Sequence, residues 1–249
     1  MDKMIYTVMS GLQMLDVARI NNANEMANAN TIGFKTSFSQ AAGFKDIGFA
    51  GNQSARAIPV LSGDNIMKLK PGSLISTGRN LDVAVSGRGV FSVQSSDGKE
   101  VYTRRGDLKI SPSGVLENGK GQLILGDGGA ITIPPSRHLE INSRGDILII
   151  PADAVGNNLQ AVGRLKLCDA EGKSLRIRPD GLYETLDGTS LETSKNIAVT
   201  SGALEGSNVS IIGAMTKMIQ GSRDYEMFIR MLKQAKDVDA ASAGVLSSE

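Results

Sequence analysis

Residues 211–232 read IIGAMTKMIQGSRDYEMFIRML, and the fold turns on this stretch. Ile211, Met215, Met218, Ser222, Tyr225, Ile229 and Leu232 step by 4, 3, 4, 3, 4 and 3, a heptad seam over three repeats. Ile212, Ile219, Phe228 and Met231 place further apolar bulk beside it. The spacing predicts one long helix, capped within Gly206-Ser207-Asn208 and running to about Ala243. Glu226 stands four residues before Arg230, the favourable order for a helical ion pair. About 36 such residues make a rod of roughly 54 Å. A modest β domain cannot cover that length, so part of the apolar face is expected to meet other chains.

The opposite end of the chain carries a matching signal. Ile5, Val8, Leu12 and Leu15 step by 3, 4 and 3, and Met9 widens the stripe. The same register then passes through Arg19, Asn22 and Met26, so the second half of this helix is polar. Asn21, Asn22, Asn24, Asn28 and Asn30 compete with the backbone for hydrogen bonds and weaken it further. Alone in water it would be marginal. Thr31-Ile32-Gly33 ends it, with glycine suited to a left-handed stop. All seven prolines lie between Pro59 and Pro179, so neither terminal segment is broken. Helices at opposite termini bury their apolar faces only against each other or against other molecules.

Between them the pattern changes. Residues 35–75 alternate small, polar and glycine residues and read as an extended linker with one hairpin. From 76 to 206 short alternating runs such as Leu81-Asp82-Val83-Ala84-Val85 and Val90-Phe91-Ser92-Val93 recur. Turn dipeptides at Asp97-Gly98, Asp127-Gly128, Asp180-Gly181 and Asp187-Gly188 separate them. With 4% aromatics and no Trp, the core of this part must be built from Val, Ile and Leu. The expected fold is α+β: paired long N- and C-terminal helices (1–34 and 207–249), coiled-coil-like, flanking a central all-β domain.

Candidate chemistry is sparse. Histidine-based triads and most zinc sites need more than His138, which reads as a surface or loop residue. Cys168 alternates within a strand-like run and reads as a small buried hydrophobe. Gly114-Val-Leu-Glu-Asn-Gly119-Lys120 opens like a phosphate-binding loop. Gly121 then stands where a hydroxyl is required, and Gln122-Leu-Ile-Leu125 looks like a strand rather than a helix. Arg104-Arg105 with Lys99 and Lys109 reads as the solvated rim of a sheet. A net charge of +1 gives no pull toward nucleic acid. No enzyme, cofactor, metal ion or small-molecule substrate is expected.

Two segments carry a resemblance. ANEMANANTIGFK at 23–35 is similar to the N-terminal signature of the flagellar rod and hook proteins, with Asn24, Asn28, Thr31, Gly33, Phe34 and Lys35 matching and Glu25 and Met26 departing. TGRNLDVAVSGRGVFSVQ, VYTRRGDLKISPSGVL and LEGSNV followed by AMTKMIQGSRDYEM resemble later parts of the same family in the same order. LGDGGAI with LEGSNV resembles its proximal rod members more than its distal ones.

The resemblance implies an inner helical domain built from both termini and an outer β domain at 76–206. It implies a subunit of the periplasm-spanning rod of a bacterial flagellar basal body, exported by the flagellar type III apparatus without a cleaved signal peptide. Partners would be other rod proteins and copies of itself. The expected assembly surface comprises Ile5, Val8, Leu12, Leu15, Asn24, Asn28, Gly33 and Phe34 from the first helix. From the second it comprises Ile211, Met215, Met218, Ile219, Arg223, Tyr225, Glu226, Ile229 and Leu232. The rival readings are a distal rod protein and a monomeric β-domain binding module.

Overall fold

The computed structural model describes residues 2–47, 56–153 and 156–246. It divides into two compact units. Unit 1 comprises 1–27, 38–65 and 210–249, and unit 2 comprises 28–37 and 66–209.

Unit 1 holds helix α1 (Asp2–Ala27), most of the neighbouring strands β1 (Ser37–Ile47) and β2 (Arg56–Met67), and helix α2 (Ile211–Leu246). The cap of α2 is not where the sequence places it. Ser210 fills that position, its Oγ accepting the Gly213 N–H at 3.2 Å. Asn208 is occupied elsewhere: its side chain accepts the Thr36 N–H at 2.7 Å and donates to the Lys68 and Lys70 carbonyls. Among the described residues no helix is long and apolar enough to cross a membrane.

The two helices antiparallel one another, but the coiled-coil-like pairing expected of them does not occur. Of the heptad seam, Ile211, Met215, Met218 and Tyr225 are 43–50% exposed. The contact is made instead by small residues and amides. Phe228 lies on Gly11, so close that an added Cβ would meet its ring at 2.9 Å. Ala214 is buried, and its carbonyl accepts a hydrogen bond from Asn22 Nδ2 at 2.8 Å. The physical reason is the polar second half of α1. Its Asn22 and Glu25 reach Ala214 and Lys217, beside the seam, where a coiled coil would need apolar side chains to receive the knobs.

Unit 2 is a β body. Its strands are β3 (Leu74–Ser76), β4 (Val83–Val85), β5 (Gly89–Gln94), β6 (Glu100–Thr103), β7 (Leu108–Ile110), β8 (Leu116–Asn118), β9 (Leu123–Gly126) and β10 (Gly129–Ala130). There follow β11 (Ser136–Ile141), β12 (Asp146–Pro151), β13 (Gln160–Arg164), β14 (Leu167–Asp169), β15 (Leu175–Ile177), β16 (Tyr183–Thr185), β17 (Val199–Ser201) and β18 (Ala203–Glu205). The largest sheet runs β15-β16-β6-β5-β9-β8-β7, with β14 on the same edge of β5 that β9 occupies further along. A three-stranded sheet, β11-β12-β13, and the pairs β17-β4 and β18-β3 complete it.

The main core is aliphatic apart from Phe91, as the composition requires: Val83, Leu108, Leu116, Ile124, Ile147 and Leu165 are all 0–1% exposed. Cys168 lies buried in β14, where loss of water pushes its thiol up to about 12. Three of the four expected Asp-Gly turns have their glycine at positive φ; at Asp127-Gly128 it is the next residue, Gly129, that turns. Gly114–Lys120 enters a β8–β9 hairpin, closed by Gly121 N–H to Asn118 O. His138 sits on β11, half exposed, 3.7 Å from Glu140.

Phe91→Ala empties the centre of this core and is expected to destabilise unit 2 by about 3–5 kcal/mol. The near-UV signal of the buried Tyr102 and Tyr183 reports it in a urea titration; an unchanged midpoint would contradict the packing described.

Candidate assembly surface

The first site lies in unit 1. Along α2, Ile212 is 79% exposed and Ile219 58%, with Met227, Met231 and Val238 also open to solvent. On α1, Met9 and Ile20 are 50% and 67% exposed. That much uncovered apolar surface on one pair of helices is what a contact surface presents.

Between the helices runs a cleft of 440 Å³, lined from α1 by Leu15, Asp16 and Asn22 and from α2 by Met218, Tyr225 and Glu226 among others. Glu25 is buried beside it and reaches Lys217 at 3.5 Å. Asn22 is buried as well; its nitrogen serves Ala214, but its Oδ1 accepts no hydrogen bond among the described residues. An orphan of this kind costs about 1–3 kcal/mol.

The predicted residues fall out unevenly. Leu15, Met218, Tyr225 and Glu226 meet in the cleft. Val8 is buried, and Leu12, Ile229 and Leu232 are half-buried. Ile211, Met215, Ile219, Arg223 and Asn24 are exposed. The side chain of Ile5 lies outside the described residues. Asn28, Gly33 and Phe34 belong to unit 2, where Gly33 takes part in a second cluster.

That cluster centres on Glu205, at the end of β18. One carboxylate oxygen accepts Lys35 Nζ at 2.6 Å and the Gly72 N–H at 2.9 Å; the other accepts Arg104 Nη1 at 2.9 Å. All three charged side chains are buried, at 0–3% exposure. Arg104 also donates to the carbonyls of Val85 and Gly87, and Lys35 to that of Lys70. Tyr183 donates its hydroxyl to the Gly33 carbonyl at 3.0 Å, and the Gly33 N–H reaches the Glu205 carbonyl at 2.7 Å. Burial pulls Lys35 and Arg104 below their usual pKa values, an effect that Glu205 opposes. Burial raises Tyr183, so it stays a neutral donor.

Four segments of unit 2, around 33–36, 68–73, 104 and 204–208, are therefore fastened at one carboxylate. A buried ion group of this kind specifies an arrangement more than it stabilises one.

The solvated rim expected at Arg104-Arg105 is half right. Arg105 is partly exposed and pairs with Asp107 at 2.6 Å, while Arg104 is fully buried. Nothing in the local pattern separates two adjacent arginines. Lys35 and Glu205 were also missed as partners, although each is the one charge in its short motif, GFK and LEGSNV. A lone charge among small and apolar residues is the signal that could have found them.

Comparison with known proteins agrees with these motifs. Residues 84–149 match the family described as the flagellar hook protein FlgE/F/G D1 domain, and residues 200–244 match the flagellar basal body rod FlgEFG protein C-terminal family. The chain is 33% identical to the flagellar basal-body rod protein FlgF of Salmonella typhimurium over 99% of both chains. It is 31% identical to that of Escherichia coli over 95% of both. With the flagellar basal-body rod protein FlgG of Bacillus subtilis it shares 28% over 94% of this chain and 95% of the other. Likeness of that degree from end to end, with both sequence motifs inside it, means that the chain belongs to the flagellar basal-body rod protein family.

Proposed function

We propose that the protein builds into the proximal part of the flagellar rod through the exposed faces of its terminal helices. It is a structural subunit of the bacterial flagellar basal body and serves motility, as its family does. Other rod proteins and copies of itself are its neighbours in this reading. The helical segments, 1–34 and 207–249, assemble; 76–206 forms the β part that they carry, and 35–75 links them. Export runs through the flagellar type III apparatus. The nearly full-length likeness to FlgF proteins supports the proximal position.

One observation carries the assembly surface: Ile211, Ile212, Met215, Met218 and Ile219 stand 43–79% exposed within three turns of α2. Burying such side chains yields about 25 cal/mol per Å² of apolar area. Methionines adapt to neighbours that are related but not identical.

Ile219→Asp places a charge in the middle of that face. The expected result is at least a tenfold drop in the amount recovered in purified basal bodies, with loss of swimming, while unit 2 keeps its melting temperature. Normal incorporation would remove this face from the assembly.

A further inference from the structure

Along the face where they meet, both helices repeat at heptad spacing. Gly11, Ala18 and Glu25 stand seven apart on α1, as do Ala214, Gly221, Phe228 and Ala235 on α2. Seven residues bring a helix back to the same face within about 20°. Such a pair therefore has neighbouring registers, one heptad apart, that turn the same faces toward each other. Three contacts mark the register that is found. Phe228 lies on Gly11, Asn22 Nδ2 donates to the Ala214 carbonyl at 2.8 Å, and the buried Glu25 meets Lys217 at 3.5 Å.

Two of the three have a counterpart if α1 slides by one heptad. Phe228 would then face Ala18, which is also small, and Asn22 would face Gly221, whose backbone offers the same kind of carbonyl. The third has none. Glu25 would face Asp224, which Gln220 holds one heptad beyond the position preceding it, through a 2.8 Å hydrogen bond from its Nε2. Two carboxylates brought together away from water repel each other strongly. The opposite slide is closed by bulk and by length. Phe228 would face the methionine at position 4, and Asn22 would reach Ser207, before α2 begins at Ile211.

We infer that Glu25, set between Lys217 and Asp224, fixes the register of α1 against α2. Lys217 attracts it in the register observed, and Asp224 repels it in the next. Glu25 is only 8% exposed, so neither force is screened as it would be at the surface. The consequence for function rests on the assembly reading above. Met9 and Ile20 lie exposed on α1, and Ile212 and Ile219 on α2. A slide of seven residues moves one set past the other by about 10 Å and changes the surface they make together. Glu25 is thus a positioning residue for that surface.

Exchanging the two charges of α2, Lys217→Asp with Asp224→Lys, reverses both forces at once. Nitroxide labels on Ala23→Cys and Lys233→Cys, two exposed positions, read the register of the full-length Cys168→Ser protein by pulsed electron spin resonance. The exchanged chain is expected to show a distance shorter by roughly 7–10 Å, the axial travel of one heptad. Adding Glu25→Lys rebuilds the original preference with every sign reversed, and the distance should return to its starting value. A residue that merely filled space would not be rescued in this way. An unchanged or dispersed distance in the exchanged chain overturns the proposal, as does the lack of a single distance in the parent.

Recovery in purified basal bodies keeps this apart from the assembly reading. Without labels, the exchanged chain should be incorporated at least tenfold less than the parent, and the chain with all three charges reversed should regain most of the loss. A shortened distance with full incorporation would leave the register device standing and remove the helix faces from assembly. An unchanged distance, with Ile219→Asp still excluded from the rod, would sink the register device alone.

Discussion

Glu205→Gln should destabilise unit 2 by about 3–5 kcal/mol, the usual consequence of removing one member of a buried ion group. The substitution keeps the shape and removes only the charge, leaving Lys35 and Arg104 buried with no counter-ion. For a body of this size, the melting temperature would fall by roughly 10 °C.

A control separates charge from packing. The three groups carry two positive charges and one negative, so Lys35→Met leaves a balanced Arg104–Glu205 pair at 2.9 Å. It forfeits the bonds to Glu205 and to the Lys70 carbonyl but strands no charge. Thermal melts followed by the tyrosine near-UV signal should therefore rank Glu205→Gln well below Lys35→Met. Equal losses would mean that Glu205 acts by filling space.

Gly33→Ala is the second large effect. Gly33 has φ of +70°, and a Cβ there would lie 2.6 Å from the backbone carbonyl of Arg104. The left-handed conformation alone costs an L-residue about 1–2 kcal/mol. The backbone clash adds to it, because the loop must withdraw from Arg104 and so breaks the bonds of Gly33 to Glu205 and Tyr183. About 3 kcal/mol or more in total is expected. Gly78, at φ +72°, faces open space, so Gly78→Ala measures the conformational part by itself. If both alanines lowered the urea midpoint equally, the close approach at Gly33 would contribute nothing.

Much of this is legible in the sequence. The periodicity of residues 211–232 predicts a helix, and α2 spans Ile211–Leu246. Turn dipeptides and short alternating runs predict the β body. The aliphatic core follows from the shortage of aromatic residues. These are local properties: a helix or a turn depends on residues a few positions apart, and the chain states them directly.

The partner of an amphipathic face is another matter. The heptad seam of α2 looked ready for a coiled coil, yet the contacts to α1 run beside it, with Phe228 on Gly11, Ala214 bonded by Asn22 and Lys217 paired with Glu25. What a stripe packs against depends on the other surface, and the stripe itself carries no record of it. The same holds for Asn208, which looked like part of a helix cap and instead ties strand and loop backbones together.

The sequence by itself determined the helical ends, the β middle and the family, because each rests on spacing along the chain. Only the tertiary structure decided that Lys35, Arg104 and Glu205 are one group. Residues 170 positions apart, such as Lys35 and Glu205, become neighbours only when the sheets fold, and the low dielectric of that interior is what turns three ordinary surface-type charges into a fastening.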